Sequence, residues 1–174
     1  MATHGVLRSL VVLIFVLCTG YALAQTPTSP PPMSNYLIPI GPAVSVEMAK
    51  KAAAAALAEA RKNNWLMVVA VVDPDGTLVY YERMDNVQLG SVDVAIDKAR
   101  SAALYKRPTK AFQDAVASGG LGLRILGLKG AVPVEGGVPL LVAGKLIGAI
   151  GLSGDLGEHD AQCAAAGANA IKNP

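Results

Sequence analysis

At 174 residues, with 15 Lys and Arg against 13 Asp and Glu, the chain has room for one domain. It carries no basic stripe with which to hold nucleic acid or an anionic membrane. Hydrophobic residues make up 52% of it but aromatics only 5%, so the core must be built from Ala, Val, Leu and Ile. Such side chains bury little area each, and a domain made of them gains stability by association.

The first 24 residues predict a cleavable secretory signal. Arg8 is the only charge, an apolar run follows from Leu10 to Cys18, and Ala22-Leu23-Ala24 offers the small-residue pattern a signal peptidase accepts. The run is too short to span a bilayer, which needs about 20 residues. Phe15, Val16 and Leu17 before Cys18 are too large for a lipoprotein signal. A cut after Ala24 therefore implies a periplasmic or secreted protein with no membrane span after processing. It also removes His4 and Cys18, leaving His159 and Cys163 as the one histidine and the one cysteine. The mature chain can then form no internal disulfide, although the compartment would permit one.

Residues 25–42 (QTPTSPPPMSNYLIPIGP) read as an extended Pro-rich linker or arm, which leaves 43–174 as the domain. Ser45 is a plausible N-cap for an Ala-rich helix whose Val46, Ala49, Ala53, Leu57 and Ala60 share one face, with Asn63-Asn64 as its stop. A hairpin follows: Leu66 to Val72, a turn at Asp73-Pro74-Asp75-Gly76, and Thr77 to Arg83. The first of these strands is continuously apolar, as expected with both faces covered. A second helix runs from about Ser91 to Tyr105 with a flat face of Ala95, Ala99, Ala102 and Ala103, and Pro108 ends it. Thr109 to about Ala117 predicts a short further helix. Ser118 to Gly130, with five glycines, predicts a loop with a helical turn. A second hairpin spans Val138 to Val142 and Lys145 to Leu152, where Gly148 and Gly151 mark bulges or close backbone approach. A last helix covers about Gly157 to Ala170. The order predicts an α+β domain with one antiparallel sheet and helices on its faces; Ala131 to Val134 could supply a fifth strand.

The motifs are modest. Asp73 and Asp75 form a carboxylate pair, but a strand-connecting turn uses the same residues for backbone reasons. The glycines at 119, 120, 122, 136 and 137 match neither a P-loop nor a dinucleotide fingerprint. No serine sits in a nucleophile elbow, and no catalytic set is evident. His159 and Cys163 lie i,i+4 on one helix, with Asp155 one turn earlier. That spacing suits an iron, copper or zinc ion, while a lone cysteine is more often a small buried hydrophobe. The basic break Lys106-Arg107-Pro108-Thr109-Lys110 reads as a solvated helix end or as an anion contact.

Three segments taken together, VVDPDGTLVYYERMDN, DKARSAALYKRPTKAF and EGGVPLLVAGKLIGAIGLSG with a following acidic residue and AAAG, resemble the GlcG/HbpS-like family of haem-binding proteins. The likeness runs from about Ser45 to Ala170. It implies a profilin-like fold with a five-stranded antiparallel sheet flanked by helices, haem as cofactor, and a homo-oligomer (an octamer in some members). It implies a binding protein without catalysis of its own, with a sensor kinase as partner in secreted members. In those members the haem lies near the break after the second helix with a threonine close to the iron. The resemblance thus places Thr109 or Ser101 there and Arg107 or Lys106 near the propionates, while His159, the one histidine left after processing and spaced i,i+4 from Cys163, is the imidazole candidate for contact with the cofactor iron. A second branch uses a histidine in its N-terminal half, where the mature chain has none, and Asn86-Val87 replaces the usual Gly-Ala after Asp85. The alternative is an enzyme or accessory of small organic-acid catabolism, its pocket at an oligomer interface and Arg83, Arg107 or Lys106 pairing a carboxylate.

Overall fold

A computed structural model describes residues 37–172; the expected signal, most of the Pro-rich arm and the last two residues lie outside the described residues. Helix α1 (Val46–Lys62) begins where the Ser45 side chain accepts the N–H of Met48 at 3.2 Å, the capping bond expected of serine. Glu47 in its first turn and Arg61 and Lys62 in its last suit the helix dipole. Ala49, Ala53, Leu57 and Ala60 are buried as expected, but Val46 is 44% exposed: it belongs to the first turn, ahead of the stretch that packs on the core.

Strand β1 (Val68–Val72) is buried along its whole length, and β2 (Leu78–Arg83) is half-exposed. Between them Asp73 Oδ1 accepts the N–H groups of Asp75 and Thr77, each at 2.9 Å, and Gly76 supplies a φ of 83°. Both facts identify the turn as a backbone device. Then follow α2 (Ser91–Leu104), α3 (Lys110–Ala117), a 3-10 helix (Gly120–Gly127), β3 (Gly137–Val142), β4 (Lys145–Ser153) and α4 (Gly157–Ala170).

The sheet is antiparallel throughout in the order β2-β1-β4-β3. Among the described residues it has four strands rather than five. Ala131 to Val134 is not a strand: the N–H of Val132 is donated to Ser101 Oγ at 3.0 Å, so this backbone is tied to α2 and not to a sheet edge. A different segment makes a brief approach to the sheet. Pro39 O accepts the N–H of Leu146 at 2.9 Å, and Gly41 donates to Leu146 O at 2.7 Å, forming a single parallel bridge at Ile40. The end of the expected arm is thus attached to the domain.

Helices α1 and α4 cover one face of the sheet, meeting Val69, Val71, Ile150 and Leu152, while α2 covers the other, meeting Val68, Ala70, Val72 and Ala149. Small residues set these distances. A Cβ on Gly151 would lie 2.2 Å from Ala95 O, and one on Gly167 would lie 2.7 Å from Ala52 O. α2 therefore sits directly on β4, and α4 directly on α1. The poverty in aromatic residues is what allows the layers to close.

Candidate functional site

The site grows from the way α2 is held. Lys98 lies on the same helix face as Ala95, Ala99 and Ala102 and is buried with them. Its Nζ donates to Asp160 Oδ2 of α4 at 2.6 Å and to Leu152 O at 3.1 Å. The two side chains are 1% and 3% exposed. Since α2 and α4 cover opposite faces of the sheet, the lysine must pass its edge. It does so beside Gly136, where a Cβ would lie 2.8 Å from both Lys98 Nζ and Asp160 Cβ. Burial pushes the Asp160 carboxyl above the usual carboxylate range, with Lys98 working in the opposite direction. Sequence reasoning did not single out this pair, although a lysine inside an alanine stripe is a visible anomaly.

After α2 the chain breaks and is re-anchored at Thr109. Its N–H donates to Gly137 O at 3.0 Å, and its Oγ1 accepts the N–H of Gly137 at 2.9 Å. Thr109 is fully buried, as is Ser101, whose oxygen holds Val132. The geometry thus gives both hydroxyl oxygens backbone partners. Between these anchors Lys106 adopts a φ of 53°, the left-handed region that side chains other than Gly, Asn or Asp seldom enter. Its Nζ donates to Ile38 O at 2.9 Å. Arg107 donates from Nε to Tyr105 O at 3.1 Å and lies 5.5 Å from the Phe112 ring centre, within cation–π range.

At the free edge of β3 this break walls a cavity of about 310 Å³. Its apolar side comes from Ile38, Pro108, Val138, Pro139, Leu141, Ala165 and Ala168, and its polar side from Lys106, Asn169 and Lys172. Arg83 lies elsewhere, in a cleft of about 420 Å³ shared with Arg61, Glu82 and Asp85, whose carboxylates offset the cations.

The two metal candidates sit apart from this cavity. His159 stacks on Trp65 with ring centres 3.9 Å apart and planes 10° from parallel. Its Nδ1 is buried and makes no hydrogen bond, the Asp155 carboxylate standing 3.4 Å away. Cys163 is fully buried in the α1/α4 core. Burial, aided by the nearby carboxylates of Glu59, Asp160 and Asp155, pushes its thiol up to about 12, so it stays protonated, whereas the thiolate is the ligating form. Among the described residues no three His, Cys, Asp or Glu side chains come together as a metal site. No described helix is long and apolar enough to cross a membrane.

Residues 44–169 match the model of a family described as haem degrading protein HbpS-like. The chain belongs to the HbpS-like family. Protein GlcG of Escherichia coli (strain K12) is 41% identical to this HbpS-like chain over 110 residues, 63% of this chain and 81% of GlcG. A double mutant of HbpS from Streptomyces reticuli superimposes with a TM-score of 0.69 at 31% identity, covering 75% of this chain and 88% of HbpS. PduOC, solved in complex with haem, superimposes with a TM-score of 0.67 at 31% identity, covering 74% of this chain and 95% of PduOC.

Proposed function

We propose that this protein binds haem in the cavity beside the break after α2. The observation that carries the reading is the chemistry of that cavity: apolar walls on one side, and Lys106 and Lys172 on the other. Those residues fit an amphipathic ring bearing carboxylates, with Val138, Leu141 and Ala168 against its apolar face and the lysines at its propionates. Arg107 is a further propionate candidate, and the Thr109–Gly137 pairing holds the wall in shape. Haem, when bound, would supply iron chemistry. Among the described residues no wall residue is His, Cys, Met or Tyr, so this chain's part there is to hold the ring and its carboxylates. HbpS and the PduOC–haem complex among its structural relatives support the reading.

Titrating haemin into the purified protein should give a saturable Soret shift. A spectrum equal to the sum of the components would sink the proposal. Removing the amine with Lys106→Gln should weaken binding about tenfold, consistent with one charge-assisted hydrogen bond.

Export after Ala24, homo-oligomerisation and a sensor-kinase partner belong to the same proposal. Assembly of like subunits is supported by the 3-10 helix, whose Leu121, Leu123 and Leu126 all face solvent, Leu121 at 85% exposure.

The size of the cavity favours one other reading. At about 310 Å³ it stands at the small end of ligand sites, which span roughly 300–1,000 Å³, and a small apolar carboxylic acid would fit it without movement. Thermal stabilisation by such acids, with no haemin binding, would decide for that alternative.

A further inference from the structure

The same numbers make a demand on the haem reading. A porphyrin is larger than this cavity, which is open on one side, so seating it inside rather than at the mouth needs a wall to yield. β3 is hydrogen-bonded along β4, and α4 is packed into the core. The segment Leu37–Gly41 is held far more lightly. Leu37 and Ile40 point to solvent, at 71% and 60% exposure. Among the described residues its hydrogen-bonded attachments are the two backbone bonds to Leu146 and the bond from Lys106 Nζ to Ile38 O. Ile38 is also the residue by which this segment walls the cavity.

Resting on the haem reading, we propose that Leu37–Gly41 is a strap latched by Lys106, and that a ligand carboxylate opens it by taking the lysine away. In the closed state the ammonium is bonded to a neutral carbonyl. A carboxylate entering the cavity offers the same ammonium a partner of opposite charge in place of a neutral one. Lys106 exchanges Ile38 O for the carboxylate, and Ile38 swings out to enlarge the cavity. The left-handed backbone at Lys106 suits this role, because it fixes the origin of the side chain while the amine changes partner. The ligand class follows: an apolar body wider than the latched cavity, with a carboxylate at its edge.

Amide hydrogen exchange reads the latch directly. The N–H of Leu146 is bonded to Pro39 O and that of Gly41 to Leu146 O, so both lose protection when the strap opens. The N–H of Leu152, bonded to Gly136 O, should keep its protection and so report that the rest of the sheet is intact. Saturating haemin should raise exchange at Leu146 and Gly41 at least tenfold, and haemin dimethyl ester, its carboxylates blocked, should not. Without any ligand, Lys106→Met should raise exchange at the same two amides. Lys106→Gly, which removes the amine and suits the backbone angle, should do the same.

Unchanged exchange in both variants overturns the latch, whatever haemin does. A saturable Soret shift with no change at Leu146 and Gly41 overturns strap opening and leaves the haem reading standing. Increased exchange in the variants with no Soret shift at any concentration supports the latch and sinks haem as its ligand.

Discussion

The Lys98–Asp160 pair offers the sharpest test of the physical account of this fold. At 2.6 Å and an effective dielectric of about 20, two unit charges attract by about 6 kcal/mol. Removing each ion from water costs several kcal/mol, so the intact pair contributes little net stability. Breaking it is another matter. Lys98→Met retains the stem but leaves the Asp160 carboxylate and Leu152 O without the ammonium; Asp160→Ala leaves a buried ammonium with only the Leu152 carbonyl. Each single variant should lose about 3–5 kcal/mol, the usual result of stranding a buried charge. The double variant removes both charges and should lose no more than about 2 kcal/mol, mainly from the space left beside Gly136. The coupling energy is then at least about 4 kcal/mol. Urea unfolding at pH 7, with midpoints compared at constant slope, measures all three losses. If the single losses sum to the double within about 0.5 kcal/mol, the two groups are independent, and the argument that this pair ties α2 to α4 is wrong.

Other consequences are simpler. The Cys163 thiol is pushed from an ordinary value near 9.0 up to about 12, so above pH 9 the unfolded chain loses a proton that the folded one keeps. Its contribution to stability should be intact below pH 9 and fall by about 1.4 kcal/mol per unit on approach to pH 12. Cys163→Ala should make the alkaline loss of urea stability shallower by one proton, and an identical slope would refute the burial argument. Gly151→Ala would put a Cβ 2.2 Å from Ala95 O and should cost about 1–3 kcal/mol in thermal unfolding as α2 is forced off β4. Gly90→Ala has nothing within 4 Å and should cost almost nothing. His159→Ala should change the emission of Trp65, the single tryptophan, while haemin affinity stays within about twofold. Loss of the Soret shift in that variant would return the iron to His159.

Local signals carried most of the elements into view. The Ser45 cap, the Asp-Pro-Asp-Gly turn and the alanine faces act within a few residues, so the sequence exposes them directly. The expected fifth strand failed because backbone polar groups near Val132 found a side-chain partner in Ser101, a contact across 31 positions with no local signature. The site was half legible for the same reason. Lys106 is conspicuous in its basic, Pro-kinked break, yet its partner is a backbone carbonyl at Ile38, 68 positions away. The Lys98 anomaly could have been noticed within its helix. Its meaning depends on Gly136 and Asp160, which only the folded chain brings together.

The break after α2 joins two fixed points, and that explains the backbone of Lys106. Upstream, α2 is pinned by its contact with Gly151 and by Lys98 reaching Asp160. Downstream, Thr109 is clamped to Gly137 by bonds in both directions. The short chain between them has to reverse, and it does so with a φ of 53° at Lys106, which costs roughly 1–3 kcal/mol for a residue other than glycine. Glycine would remove that cost together with the amine. The lysine's compensation is specific: its bond to Ile38 O holds the strap against the cavity at the position where an anionic ligand would meet the ammonium. Lys106→Gly therefore has two opposed effects. It relaxes the turn, which should hold or raise the melting temperature, and it unlatches the strap, which should raise amide exchange at Leu146. A variant as stable as the wild type but open at the strap would separate the two. One that lost stability while Leu146 stayed protected would show that the lysine serves the fold instead.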